Sequence, residues 1–137
     1  MKVVIDTNMI IASRFSPRSS SGKIIGMCIE GRLEAVYSPA IKDENLFILE
    51  KVRPDRAFVD TIIRFYSRAT MVRPKERVRL CEDPDDDKYF ELALAAKADF
   101  IISNDRHLLD HDMWKGIRVV RPGEFTRILE NGKTGSI

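Results

Sequence analysis

Two short apolar runs, each closed by an acid, constrain this chain more than any other feature. Val3-Val4-Ile5 runs straight into Asp6, and Phe100-Ile101-Ile102 runs into Ser103, Asn104 and Asp105. Unbroken apolar runs of this length read as strands buried on both faces, the pattern of a parallel sheet covered by helices. In open α/β sheets ligands gather outside the carboxyl ends of the strands, so Asp6 and Asp105 would stand where ligands bind. A purely local role competes with this, because Asp6, Thr7 and Asn8 are all of the kind that caps a helix.

Between and after these runs, strand and helix patterns alternate. Leu33 to Tyr37, Thr70 to Val72 and Ile117 to Val120 read as strands. Ile10 to Phe15 starts a helix that gives way to the turn-rich loop Ser16 to Gly22, and Lys23 to Glu30 is helical up to Gly31. Ser38 and Pro39 have the N-cap and first-position chemistry of a helix running to about Val52, ahead of Pro54. Asp55 to Ala69 is amphipathic, Asp85 to Ala98 is the strongest helical stretch, and Pro122 leads a last helix to Glu130. The alternation predicts an α/β fold in three layers, a central mostly parallel sheet of about five strands with helices on both faces. One domain over residues 1–130 and a flexible tail over 131–137 are expected.

Composition narrows the class. A 137-residue chain can bury a proper core. No apolar run approaches the roughly 20 residues that a membrane span needs, and the N-terminus enters a strand instead of a cleavable leader, so no membrane association and a cytoplasmic location are expected. Cys28 and Cys81 do not make a secreted disulfide framework and are expected to be reduced. The net charge of +2 hides an uneven distribution: a basic run from Lys51 to Arg79 is followed by Glu82, Asp83, Asp85, Asp86 and Asp87. A basic face beside an acidic pocket suits a polyanion held near bound cations.

Glu44 falls among the apolar positions Ile41, Ile48 and Val52 of its helix, where an unpaired carboxylate is costly. A structural salt bridge or metal ligation would satisfy it. A parallel sheet puts strand C-termini and the following helix N-termini on one edge, so Asp6, Glu44, Asp105 and one of Asp85, Asp86 and Asp87 can converge there. At about 5 Å and an effective dielectric near 20, two carboxylates repel by roughly 3 kcal/mol, so the group demands a counter-charge. No Lys or Arg adjoins Asp6, Glu44 or Asp86 in sequence, which favours a bound metal, and an all-oxygen site suits Mg²⁺ or Mn²⁺. Such ions activate water for phosphoryl displacement. His107 and His111 are four apart, but spacing alone does not make a zinc site, and Gly132-Lys133-Thr134 lacks the remainder of a phosphate-binding loop. A dehalogenase-like phosphatase would need an acid where Asn8 stands.

Read in order, Val4-Ile5-Asp6-Thr7-Asn8, Ser38-Pro39 followed by Glu44, Asp83-Pro84-Asp85-Asp86-Asp87-Lys88, and Ser103-Asn104-Asp105 resemble the motifs of the PIN-domain ribonucleases, which include the toxins of many prokaryotic toxin-antitoxin pairs. Pro122-Gly123-Glu124-Phe125 is similar to that family's closing segment. The resemblance implies a metal site of Asp6, Glu44, Asp86 and Asp105, with Asn8 and Ser103 positioning groups around it. Asp86 is preferred over its neighbours because its spacing to Tyr89 and Ala93 resembles the family pattern; Asp83 and Asp87 are then outer or solvated. The implied reaction is Mg²⁺- or Mn²⁺-dependent endonucleolytic cleavage of RNA, with an antitoxin and a second copy of the chain as partners. Arg14, Arg18, Arg64 and Arg68 are candidates for guiding the RNA backbone. A PIN-like fold kept only for RNA binding or protein interaction is the alternative.

Overall fold

A computed structural model describes residues 1–135. Its centre is a six-stranded sheet in the order β3-β2-β1-β4-β6-β5. The strands are β1 (Lys2–Ile5), β2 (Glu34–Tyr37), β3 (Thr70–Met71), β4 (Phe100–Ile102), β5 (Met113–Trp114) and β6 (Ile117–Val120). All pairings are parallel except β5 with β6. The helices are α1 (Thr7–Ala12), α2 (Ser20–Ile29), α3 (Pro39–Val52), α4 (Arg56–Arg68), α5 (Asp87–Ala96), α6 (Arg106–Leu109) and α7 (Pro122–Gly135), with short 3₁₀ turns at Ser13–Phe15 and Pro84–Asp86.

The three-layer expectation holds, and the pleat shows why. Val3 and Ile5 of β1, Phe100 and Ile102 of β4 and Val120 of β6 face one core with α1, α2, α4 and Phe125 of α7. Val4, Val36, Ile101, Ile117 and Val119 face the other, with Tyr89, Phe90, Leu92 and Ala93 of α5. Alternate residues of one strand thus enter opposite cores, so the central strands are apolar throughout. Phe90 and Phe125 are fully buried, each burial contributing about 1.5–3 kcal/mol.

The sheet has six strands where about five were expected. The extra one, β5, is joined to β6 by Lys115 and Gly116 at φ 50° and 80°, the two positive values of a tight hairpin turn. Lysine is not a residue that advertises such a turn. The helix expected to end at Glu130 continues to Gly135, so the segment expected as a tail is helical over 131–135, while residues 136 and 137 lie outside the described residues. The helix expected from Asp85 begins with a 3₁₀ turn and becomes α-helical at Asp87.

Local chemistry ends the helices where the sheet needs the chain back. Ser38 caps α3, its Oγ accepting from the Ile41 N–H, with Pro39 at the first helical position. Arg53, left-handed at φ 47°, stops α3 before Pro54. The buried stripe of α3 is Ile41, Asn45 and Leu49, with Ile48 and Val52 half-buried, which leaves Glu44 at the margin of the core. Gly31, at φ 79°, follows α2 and lies against the Arg68 guanidinium, leaving no room for a Cβ. Both cysteines are free, and burial pushes the Cys28 thiol up to about 12. Among the described residues, no helix is long and apolar enough to cross a membrane.

Candidate active site

The chain leaves β1 towards β2 on one side and returns as β4 on the other, so the crevice at the carboxyl ends of β1 and β4 is the topological switch point of the sheet. Asp6 stands in it, immediately after β1, and is 3% exposed. Its cap role and its place at the switch point coincide. Oδ1 accepts from the Asn8 N–H at 3.0 Å and from the Tyr89 hydroxyl at 3.2 Å. Oδ2 accepts from Ser103 Oγ at 2.6 Å. An ionised carboxylate has about four acceptor positions, so these three bonds leave one, on Oδ2. Ser103 also accepts from the Asp105 N–H at 2.8 Å, which ties the acid after β4 to the acid after β1.

Asp105 caps α6, accepting from the His107 N–H through Oδ1. Glu44 approaches from α3. Its Oε1 accepts from Thr7 Oγ1 at 3.2 Å, and Thr7 Oγ1 lies 3.3 Å from the Tyr89 hydroxyl that reaches Asp6. The other oxygen, Oε2, meets the Lys88 ammonium, which also pairs with Asp85 at 2.9 Å. This corrects the expectation that the acids lack a regular cationic partner. Lys88 is remote from Glu44 in sequence and comes to it only because α5 packs beside α3. Thr7, Lys88 and Tyr89 have no role at the site in the sequence reading, although Thr7 and Lys88 lie within the quoted motifs and Tyr89 directly follows one.

The run of aspartates resolves into separate roles. Asp83 caps the 3₁₀ turn by accepting from the Asp85 N–H. Asp85 pairs with Lys88. Asp87, expected to be outer or solvated, is buried, and its Oδ1 accepts from the Leu80 N–H at 3.1 Å and the Cys81 N–H at 2.7 Å. Burial works to raise the Asp87 carboxyl, but these two N–H donors outweigh it, with help from His111, and hold it below the usual range. Asp86 alone of the run has neither a hydrogen-bond nor an ion-pair partner for its carboxylate among the described residues. Its carboxyl is pushed up, first by burial and then by Asp105, Asp83, Asp85 and Asp6. Asp6, Asp86 and Asp105 therefore share one region of negative charge, while Glu44 is joined to it through Thr7 and Tyr89. In this conformation no three His, Cys, Asp or Glu side chains among the described residues stand close enough to hold one ion. The donor chemistry nevertheless fits a hard cation: carboxylate oxygens only, with open positions on Asp6, Asp86 and Asp105.

Other candidates fall elsewhere. Asn8 is exposed and contributes its backbone N–H to Asp6. Arg14 donates to the Ile11 carbonyl at the end of α1, and Arg18 is exposed in the loop before α2. Arg64 is exposed on α4. Arg68, against Gly31 ahead of β2, lies on the edge where strands begin, opposite Asp6, which removes it from the site's neighbourhood. Two other arginines come closer. Arg73 lines a pocket of about 390 Å³ with Ser38, Pro39, Lys88 and Glu91, and Arg121 donates to the Asn104 carbonyl beside Asp105. His107 lies on the four-residue α6, whereas His111, beyond its end, packs edge-on against Phe90 at 5.1 Å, so the two do not form a helical pair. A groove of about 940 Å³ between α2 and α7 is lined by Met1, Met27 and Leu129 among others and does not include the acids of the site.

The PIN-domain family profile matches residues 2–107, which span every acid of this site. The chain belongs to the PIN-domain family. An uncharacterised protein of Methanocaldococcus jannaschii is 30% identical to this PIN domain over 115 residues, covering 80% of this chain and 74% of the relative. Among solved structures, a chain of VapBC2 from Rickettsia felis, crystallised with a DNA fragment from their promoter, matches with a TM-score of 0.61. That match covers 88% of this PIN domain and 98% of the other chain at 11% identity, a likeness of fold.

Proposed function

We propose that this PIN domain is a metal-dependent endoribonuclease in which Asp6, Asp86, Asp105 and Glu44 hold Mg²⁺ or Mn²⁺. The observation that carries the reading is Asp86: a carboxylate without a hydrogen-bond or ion-pair partner among the described residues, raised first by burial and then by neighbouring acids that include Asp105 and Asp6. Asp6, Asp86 and Asp105 have open oxygen positions, and Glu44 completes the set once released from Lys88. A bound Mg²⁺ or Mn²⁺ supplies a more acidic water and neutralises charge on the phosphoryl group. The chain's own residues do the rest. Ser103, Tyr89 and the Asn8 N–H fix the Asp6 carboxylate, so that its remaining acceptor position has one direction. Arg73 and Arg121 flank the acids and would take the RNA backbone on either side.

The fold likeness to a VapBC2 chain, together with the family resemblance, supports reading this protein as the toxin half of a toxin-antitoxin pair; the cytoplasm is where we propose that it acts. Exposed apolar side chains on α3 (Leu46, Phe47) and α4 (Val59, Ile63) support protein partners, an antitoxin or a second copy.

The test is cleavage of a pool of single-stranded and structured RNAs in Mn²⁺, in Mg²⁺ and in EDTA. Cleavage that is lost in EDTA is the expected result. The alternative, a catalytically silent binding module, draws on the fact that Lys88 already engages Glu44 and that, among the described residues, no three acids stand close enough to hold one ion. RNA bound but never cut in either metal would favour it.

A further inference from the structure

Lys88 is an odd residue for its position. It occupies the first turn of α5, the positive end of the helix dipole, where a cation is disfavoured by about 0.3–1 kcal/mol. Its side chain is only 15% exposed, so it has also given up much of its hydration. The helix dipole and the loss of hydration both count against it. What it gains is contact with Glu44 and Asp85 together, one from α3 and one from the turn before α5, with Asp6 close enough to act on its charge. Glu44 in turn is held at both oxygens, by Lys88 and by Thr7.

We infer that Lys88 is a built-in counter-cation of the acidic site, which holds Glu44 in the metal-free protein and must release it before Glu44 joins a divalent cation. The inference rests on the metal-site reading above and goes beyond it by giving Lys88 a positioning role. With Lys88 in place, the crowded acids are tolerated without a metal, and the pair with Glu44 competes with the incoming ion. Removing the ammonium leaves Glu44 free to turn and adds an uncompensated negative charge, so a divalent cation binds more tightly. A lysine that only fastens α3 to α5 would do the opposite: its loss would loosen the site and leave metal affinity the same or weaker.

The experiment is calorimetric titration of Mn²⁺ into the full chain, without RNA, for wild type, Lys88→Met, Lys88→Arg, Glu44→Gln and the Lys88→Met/Glu44→Gln double variant. Far-ultraviolet circular dichroism checks that each is folded. Lys88→Met is expected to bind Mn²⁺ about tenfold more tightly than wild type, the effect of freeing one carboxylate charge, that of Glu44, to face a divalent ion. Glu44→Gln is expected to weaken binding, and in the double variant the gain from Lys88→Met should largely vanish, because the residue that Lys88 restrains is gone. Lys88→Arg keeps the charge and should show no gain. If Lys88→Met fails to fold, the comparison of Lys88→Arg with Glu44→Gln still decides: tighter binding by the arginine variant than by wild type overturns the inference. Wild type and Lys88→Met binding equally, with Glu44→Gln weaker, overturns the role of Lys88 and leaves the metal site standing. No Mn²⁺ binding by any protein overturns both. Binding by Lys88→Met alone supports the inference in its strongest form.

Discussion

Ser103 Oγ donates to Asp6 Oδ2 at 2.6 Å and accepts from the Asp105 N–H at 2.8 Å, so one fully buried hydroxyl joins the acids that follow β1 and β4. The two strands pair in parallel, Ile5 opposite Ile102, and the hydroxyl continues that register beyond the last ladder bonds. It spaces the acids without neutralising either.

Ser103→Ala should therefore cost both stability and precision. The Asp6 carboxylate loses a charge-assisted bond and the Asp105 N–H loses its acceptor, together about 2–3 kcal/mol. Urea denaturation measures the loss, and cleavage by the variant should fall even under conditions where it is fully folded. Unchanged stability would show that the hydroxyl is replaceable by water.

Asp86→Asn should separate stability from activity. Because the Asp86 carboxyl is raised by burial and by Asp105, Asp83, Asp85 and Asp6, its ionised form opposes folding at neutral pH in the absence of metal. The asparagine variant should be more stable than wild type without metal, by well under about 1 kcal/mol because solvent screens the repulsion around a carboxylate that is only partly buried. In the same variant cleavage should be lost. A lower Tm in EDTA would mean that Asp86 makes a stabilising contact instead.

Asp87 offers the pH dependence. Its folded carboxyl lies below the ordinary value, so its ionised form favours the native state. That contribution is complete above the ordinary carboxylate range and is lost as pH falls through the lowered folded value. Asp87→Asn should cost about 2 kcal/mol at pH 7, since the Leu80 and Cys81 N–H groups lose a charged acceptor, and the gap to wild type should close in acid. Chemical denaturation at a series of pH values reads both. A gap that widens as pH falls would reverse the sign assigned here.

Gly31→Ala tests the far edge. At φ 79° with the Arg68 guanidinium where a side chain would go, the substitution should destabilise by at least about 1 kcal/mol. Lying where the strands begin, it should leave the turnover of the folded protein unchanged. A selective loss of activity would place Arg68 back among the RNA contacts.

Much of this architecture is legible in the residues because burial on both faces leaves a plain mark. β4 is wholly apolar, and β1 and β6 are apolar except for Lys2 and Arg118, which makes all three readable as strands. β5 was not: two residues, one of them the exposed Met113, form a strand only by pairing with β6 across the Lys115-Gly116 turn. The last helix runs past the expected end at Glu130 to Gly135, through Gly132, a residue of low helix propensity. At the site, topology alone brings Asp6 and Asp105 to one edge, which is why their convergence could be anticipated. The Glu44 partner could not, because Lys88 approaches through space from another helix. Nor could the division of labour among Asp83, Asp85, Asp86 and Asp87, which depends on where the chain from Leu80 to Cys81 passes.

The central claim is that Asp6, Asp86 and Asp105 surround a divalent cation. Anomalous diffraction from a crystal grown with Mn²⁺ tests it most directly. The account predicts a single dominant region of anomalous density between these three carboxylates at the ends of β1 and β4, absent from Asp6→Asn crystals. Density placed elsewhere, or none in a protein that still cleaves RNA in Mn²⁺, would contradict it.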